Sequence, residues 1–281
     1  MLPLDEPSTW HGPEHLYGVS APEFQEAPSS WLSRAAMSQD VEVRELCGWL
    51  GLMFTDDMDV ALADSDLAQI ADRCGFDVGA FGCVARMLHT CMKLPLQMPL
   101  LLHGHSSPIY RFCPLCLKEQ VTPHIPLHWR FSPWRLCPVH DCLLEVHCLR
   151  CGAWVLLPRR LRISGAAPIA TAFLSQCWKC GALLWKMKPL LLSDLVPHRL
   201  SPLEVARLRN GCAVVAAIAQ DRMICSFSKR MRIEYGLPLL ERRGYFVDEP
   251  FPDADQLRDP QWYRRDRGSA ALVSVAEGSR H

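Results

Sequence analysis

The chain has 281 residues, 49% of them hydrophobic and 21% charged, an ordinary soluble composition with enough apolar residues for two modules or three small ones. No apolar run approaches the ~20 residues that span a bilayer, and the opening MLPLDEPSTWHGPEH has no basic stretch followed by an apolar one, so no secretory signal is expected. Thirty basic and thirty acidic side chains cancel, but residues 1–110 hold 5 basic and 15 acidic, 111–247 hold 20 and 8, and 248–281 hold 5 and 7. The split predicts either a basic nucleic-acid or partner surface in the middle of the chain or an unevenly charged solvated one. A cytoplasmic, membrane-free protein follows. In that reducing setting 14 cysteines are read as metal ligands or core residues rather than a disulfide framework.

Residues 1–27 read as an N-terminal extension, followed by a helical domain over 28–105. Helices are expected from Ser30 to Met37 and from Val41 to Leu50. Asp64-Ser65 precede Leu67, Ile70, Ala71 and Cys74, which recur on one helical face, and Gly75 suits the left-handed position past the end. Asp77 opens a second helix, to about residue 90, carrying Phe81, Val84 and Leu88. Two short helices around Gly75-Phe76-Asp77 have the outline of a helix-turn-helix or of a plain helical hairpin. The would-be recognition helix offers Arg86, with Lys93 just beyond, and few other polar groups for base edges.

Residues 106–190 carry the chemistry. Cys113-Pro-Leu-Cys116, Cys137-Pro-Val-His140, Cys148-Leu-Arg-Cys151 and Cys177-Trp-Lys-Cys180 are four pairs with two-residue gaps. Such a gap curls the chain so that both side chains face one ion, and four pairs make two sites with seven Cys and one His. Sequential pairing is favoured, because each insert can then fold as its own strand hairpin; a cross-brace is the alternative. His147 and Cys142 lie near but lack a paired neighbour. Two closed four-ligand sites predict two structural zinc ions and a double zinc-ribbon domain with short strands. Charge alone nominates Arg111, Arg130, Arg159, Arg160 and Arg162 as phosphate or partner contacts.

Residues 191–247 read as a C-terminal helical segment. Ser201-Pro-Leu-Glu204 is a capping box with Pro at the first helical position, and the helix is expected to run to Met223. Lys229, Arg230 and Arg232 cluster behind it as further nucleic-acid or partner contacts. Residues 248–281 read as a mobile tail. The fold class is thus α+β. Catalytic strings fail on context: Gly12-Pro13 breaks the helix that His11-Gly-Pro-Glu-His15 would need, and Pro108 stands where a nucleophile elbow needs Gly. No enzyme is predicted.

Arg111-Phe-Cys-Pro-Leu-Cys-Leu-Lys-Glu119, His128-Trp-Arg130, Cys137-Pro-Val-His140 and Cys148-Leu-Arg-Cys151-Gly152 together resemble the TniQ family of transposition proteins, which includes the target-site selector TnsD. Leu67 to Phe76 looks like that family's helix-turn-helix, and Pro28-Ser-Ser-Trp-Leu-Ser-Arg34 is similar to its opening motif; the likeness covers about residues 28 to 185. The resemblance implies a non-catalytic adaptor that links a target-recognising element to an AAA+ ATPase regulator, which recruits the transposase. That element is attachment-site DNA in some systems and, in others, a CRISPR effector complex, often engaged by a dimer. It places the zinc ligands on the eight residues of the four pairs. His128, Trp129 and Arg130 are assigned to packing beneath the ribbon, and the acidic N-terminal region to protein contacts. The rival reading is a transcriptional regulator using the same parts on a promoter.

Overall fold

The computed structural model describes residues 15–65, 67–94, 100–104, 107–158, 174–196, 199–224, 230–245 and 254–258. Five helices come first: α1 (Pro28–Ser38), α2 (Val43–Trp49), α3 (Met58–Ala63), α4 (Leu67–Cys74) and α5 (Gly82–Met92). Pro28 starts α1 at a position that needs no N–H donor, and the helix buries Trp31, Leu32, Ala35 and Ala36. The Trp31 ring meets Phe76 and Phe81 edge-on, at 5.6 and 5.1 Å between centroids. The periodic face of α4 is buried through Ile70, Ala71 and Cys74, and Gly75 takes a φ of +70° behind it. Asp77 caps a 3-10 turn over Val78–Phe81, and only then does α5 begin.

The expected recognition helix is spent on packing. Val84, Ala85, Met87 and Leu88 of α5 are buried, with α3 and the later helix α8 (Pro202–Gln220) against it, leaving Arg86, Met92 and Lys93 exposed. Helix α3 has no counterpart in the sequence reading: six residues are too few for a periodicity to emerge. Its only local signal is Asp57, whose carboxylate accepts from the Val60 amide.

The middle of the chain is built from short antiparallel strands. β1 (His103–Gly104), β2 (Ser107–Tyr110) and β5 (Val155–Leu156) form one sheet, and β3 (Leu136–Cys137), β4 (Cys142–Leu143) and β6 (Leu190–Leu191) form another. Helices α6 (Pro114–Glu119) and α7 (Leu192–Leu195) accompany them. The insert between Cys116 and Cys137 is not a strand hairpin. It holds the end of α6 and a 3-10 turn over Leu127–Arg130, because Leu127, Trp129 and Arg130 are drawn into the core.

Helix α8 (Pro202–Gln220) opens with the expected capping box, both reciprocal bonds being formed. It stops at Gln220 and not at Met223, since Asp221 turns left-handed (φ 51°) and feeds the hairpin of β7 (Arg222–Ile224) and β8 (Arg230–Arg232), ahead of α9 (Ile233–Arg242). Gly211 lets α8 lie directly on the chain at Pro133: a Cβ there would sit 2.0 Å from the Pro133 carbonyl oxygen. That oxygen is backbone and cannot swing aside. Gly211→Ala should therefore push α8 outward and cost about 1–3 kcal/mol, read as a lower midpoint in urea unfolding; an unchanged midpoint would mean that α8 is not fixed by this contact.

Residues 254–258, expected within a mobile tail, form the short helix α10 (Ala254–Arg258). Ala254 and Leu257 fill a small second core with Leu136, Leu143, Leu195 and Leu208, and Arg258 pairs with the buried Glu145. Among the described residues no helix is long and apolar enough to cross a membrane.

Candidate metal centres

The backbone gathers the eight predicted ligands into two groups along sequential lines: Cys113, Cys116, Cys137 and His140 in one, Cys148, Cys151, Cys177 and Cys180 in the other. In each group the donor atoms all lie within 4.8 Å of one another. In the first, His140 Nδ1 stands 3.5, 3.3 and 3.5 Å from the sulfurs of Cys113, Cys116 and Cys137, and Cys116 and Cys137 are 3.5 Å apart. In the second, Cys148 is 3.6 Å from Cys180 and Cys151 is 3.5 Å from Cys177. A zinc tetrahedron with Zn–S bonds of ~2.3 Å and Zn–N of ~2.05 Å has edges of about 3.6–3.8 Å. Both groups are close to that size and offer four donors, so the donor set and its spacing fit zinc in closed sites.

Local geometry explains how each pair is aimed. Cys113 caps α6, and its sulfur accepts from the Cys116 amide at 3.4 Å. Cys137 ends β3, and the left-handed Asp141 (φ 46°) turns the chain past His140 into β4. The second group is built from two copies of one knuckle, Cys148-Leu-Arg-Cys151-Gly-Ala153 and Cys177-Trp-Lys-Cys180-Gly-Ala182. In each copy the first cysteine's amide donates to the alanine carbonyl at 2.8 Å, and the glycine is left-handed, with φ of +68° and +70°. This repeat of Cys-x-x-Cys-Gly-Ala is legible in the sequence, a signal that the spacing of the cysteines by itself does not use.

Electrostatics ask for a cation. Three or four thiols this close cannot all ionise alone, so protons divide unevenly among them. The Cys116 thiol bond pulls Cys113 down to about 7, and bonds from Cys113 and Cys116 hold Cys137 far below an ordinary thiol, while Cys116 is driven upward by the same contacts. In the second group the Ala182 amide draws Cys180 down to about 7, whereas burial pushes Cys148 up to about 12. A divalent ion at the centre would stabilise all of them as thiolates.

Two residues outside the predicted set support the first centre. Glu119, three positions after Cys116 on α6, faces His140 Nε2 at 3.0 Å and so orients the ring whose Nδ1 points at the sulfurs. Cys142, opposite Cys137 across the β3–β4 ladder, is fully buried with its sulfur 3.5 Å from that of Cys113. The Cys142 contact draws the Cys113 thiol downward, while Cys142 itself is pushed up. His147 is turned away, its Nε2 accepting from the Trp154 indole.

The proposed contact residues fare differently. Arg111 is buried, its Nη1 donating to the carbonyls of Phe131 and Ser132 at 3.0 Å each, and Arg130 is wholly buried between Asp57 and Asp59. Neither can reach a phosphate: the charge-based expectation fails for both, and the burial of Arg130 agrees with the packing role that the family resemblance implies for it. His128 beside it is pushed down to about 4 by burial and is neutral. Arg230 and Arg232 are exposed on β8, where Arg232 meets Glu234 at 3.4 Å. Arg159, Arg160, Arg162 and Lys229 lie outside the described residues, as do residues 1–14 of the N-terminal extension.

The family model TniQ matches residues 19–144, which take in helices α1 to α6 and the whole first centre and stop short of Cys148. No curated protein matches the chain.

Proposed function

Residues 19–144 belong to the TniQ family, and on that premise we propose that this chain is a non-catalytic, cytoplasmic target-selection adaptor in DNA transposition. In this reading it links a target-recognising element, attachment DNA or a CRISPR effector complex, to an AAA+ regulator that brings in the transposase, and it works with two structural zinc ions. The observation that carries the reading is the family match. Two others support it. Each Cys/His group already supplies four protein donors, so an ion held there has no open position for a reacting water. The acidic helical module spends α5 on packing, which suits protein contacts better than reading bases.

The test is affinity purification from the native host, with mass spectrometry and zinc measured on one sample. The expected result is an AAA+ ATPase, with or without CRISPR subunits, and about two zinc ions per chain. Recovery with RNA polymerase and one tightly bound promoter sequence would replace the adaptor with a regulator.

A further inference from the structure

Between Glu145 and Asp194 the chain has no acidic residue, yet it has seven basic ones: Arg150, Arg159, Arg160, Arg162, Lys179, Lys186 and Lys188. This stretch contains the whole second metal centre. Four thiolates around one divalent ion carry a formal charge of about −2, and the four described cations Arg150, Lys179, Lys186 and Lys188 exceed it on their own. All four are exposed, and among the described residues none is paired with a carboxylate.

The cations are not scattered. The repeated knuckle puts an apolar and a basic side chain at each tip, Leu149-Arg150 on one and Trp178-Lys179 on the other. A groove of about 550 Å³ is lined by Leu149 and Arg150 of the first tip, by Gly181 and Ala182 just after the second, and by Lys186 and Met187. Trp178 is 54% exposed, and its indole N–H is anchored to the Trp154 carbonyl at 2.9 Å, so a flat aromatic face is presented to solvent in a set orientation. An ordered, solvent-facing tryptophan among cations without carboxylate partners, one of them (Lys186) lying over the Trp185 ring at 5.2 Å, is the combination that binds an unpaired strand: phosphates follow the cations and a base stacks on the ring, with little regard to sequence. Bases in a duplex offer no such free face. An acidic peptide would satisfy the charges but would leave the oriented ring without a role.

We propose that the second zinc knuckle pair is a binding site for single-stranded nucleic acid, with Trp178 as the stacking platform and Arg150, Lys179 and Lys186 as phosphate contacts. The site lies beyond residues 19–144 and its test needs no partner protein, so it and the adaptor reading can fail separately.

The test is fluorescence anisotropy of the full zinc-loaded chain with a labelled 20-nucleotide oligo-dT strand and a 20-base-pair mixed-sequence duplex. The single strand should bind more tightly. Trp178→Ala should weaken it by about tenfold and Trp178→Phe by much less, since the phenyl ring still stacks. The double variant Arg150→Glu, Lys186→Glu should weaken binding and flatten its salt dependence, by about 0.7 in log–log slope for each phosphate that is no longer neutralised. Zinc content of two per chain identifies variants whose knuckles remain folded. Equal binding by wild type and Trp178→Ala, a preference for the duplex, or no binding by protein that holds both ions would overturn the proposal.

Discussion

Cys113→Ser should leave a chain without a cooperative fold, whereas Cys180→Ser should leave one that still folds and holds a single zinc ion. The two centres have the same number of donors but different neighbours. Cys113 and Cys137 are buried, and Cys142, Phe112, Leu117 and Trp129 belong to the same large core cluster. The Cys113 sulfur also receives the Cys116 amide and sits against Cys142. Structural zinc is worth about 10–16 kcal/mol of apparent binding energy at neutral pH, as much as the whole 5–15 kcal/mol that keeps an ordinary domain folded. Loss of the first ion therefore removes the margin of the core that joins both halves of the molecule. In the second centre Cys148 and Cys177 are buried in the same cluster, but Cys180, the ligand replaced, is half-buried at its rim, so its loss should unravel the knuckles and lower the melting temperature without abolishing the transition. Zinc by atomic spectroscopy, together with near-UV circular dichroism on each variant, checks this. A zinc-free Cys113→Ser protein with a native aromatic spectrum would show that the first centre is dispensable for folding.

The metal centres were the most legible part of the chain because ligand spacing is a local property. A two-residue gap means the same thing wherever the chain goes next, and the eight ligands could be named without knowing the fold. The capping box at Ser201 and the left-handed Gly75 were legible for the same reason. What escaped was set by distant partners. By charge alone Arg111 and Arg130 look like surface groups until the carbonyls of Phe131 and Ser132 and the carboxylates of Asp57 and Asp59 are brought to them across many residues; for Arg130 the family resemblance, and not its charge, implies packing. Helix α3 is held by such distant partners too, through Asp59 and through Met58 and Leu62 buried against α1 and α5. Arg34 is a similar case. Its guanidinium is buried against Glu26 at 2.6 Å, while the Ser30 hydroxyl donates to the same carboxylate and accepts the Ile125 amide, tying α1 to a loop 95 positions away. The ordered part of the tail escaped too, because α10 has weak periodicity but finds a ready apolar pocket between β4 and α8.

The cluster around Arg130 should show the largest effect of any site outside the metal centres. Its Nη1 donates to Asp57 Oδ1 and Asp59 Oδ2 at 2.8 Å each, Nη2 reaches Asp57 Oδ2, and the Tyr110 hydroxyl and Ser29 amide complete the coordination of Asp59. These bonds join α1 and α3 of the helical module to the turn and strand that carry the ribbons. Arg130→Met keeps the bulk but leaves the buried carboxylate of Asp59 beside the half-buried one of Asp57, with His103 as the cationic partner left to Asp57. Breaking a buried pair in this way costs about 3–5 kcal/mol, because the stranded charge remains. Burial by itself would raise the Asp57 pKa, but the Arg130 pair outweighs it and holds Asp57 below the usual carboxylate range. In the wild type that contribution is therefore present above the unfolded value near ~3.9 and lost as pH falls through the folded one. In the variant the sign reverses: without Arg130, burial and the neighbouring carboxylate are left to raise Asp57, so folding is favoured as pH falls. The gap in urea midpoint between wild type and Arg130→Met should accordingly be wide at pH 8 and narrower at pH 5. Adding Asp59→Asn to the variant should recover part of the loss at pH 8 and less at pH 5, because the repulsion between the two carboxylates that it removes is already weakened there by protonation of Asp57. A gap that did not change with pH would assign the cost of Arg130→Met to poorer packing, and the joint between the two modules would then rest on shape and not on this ion cluster.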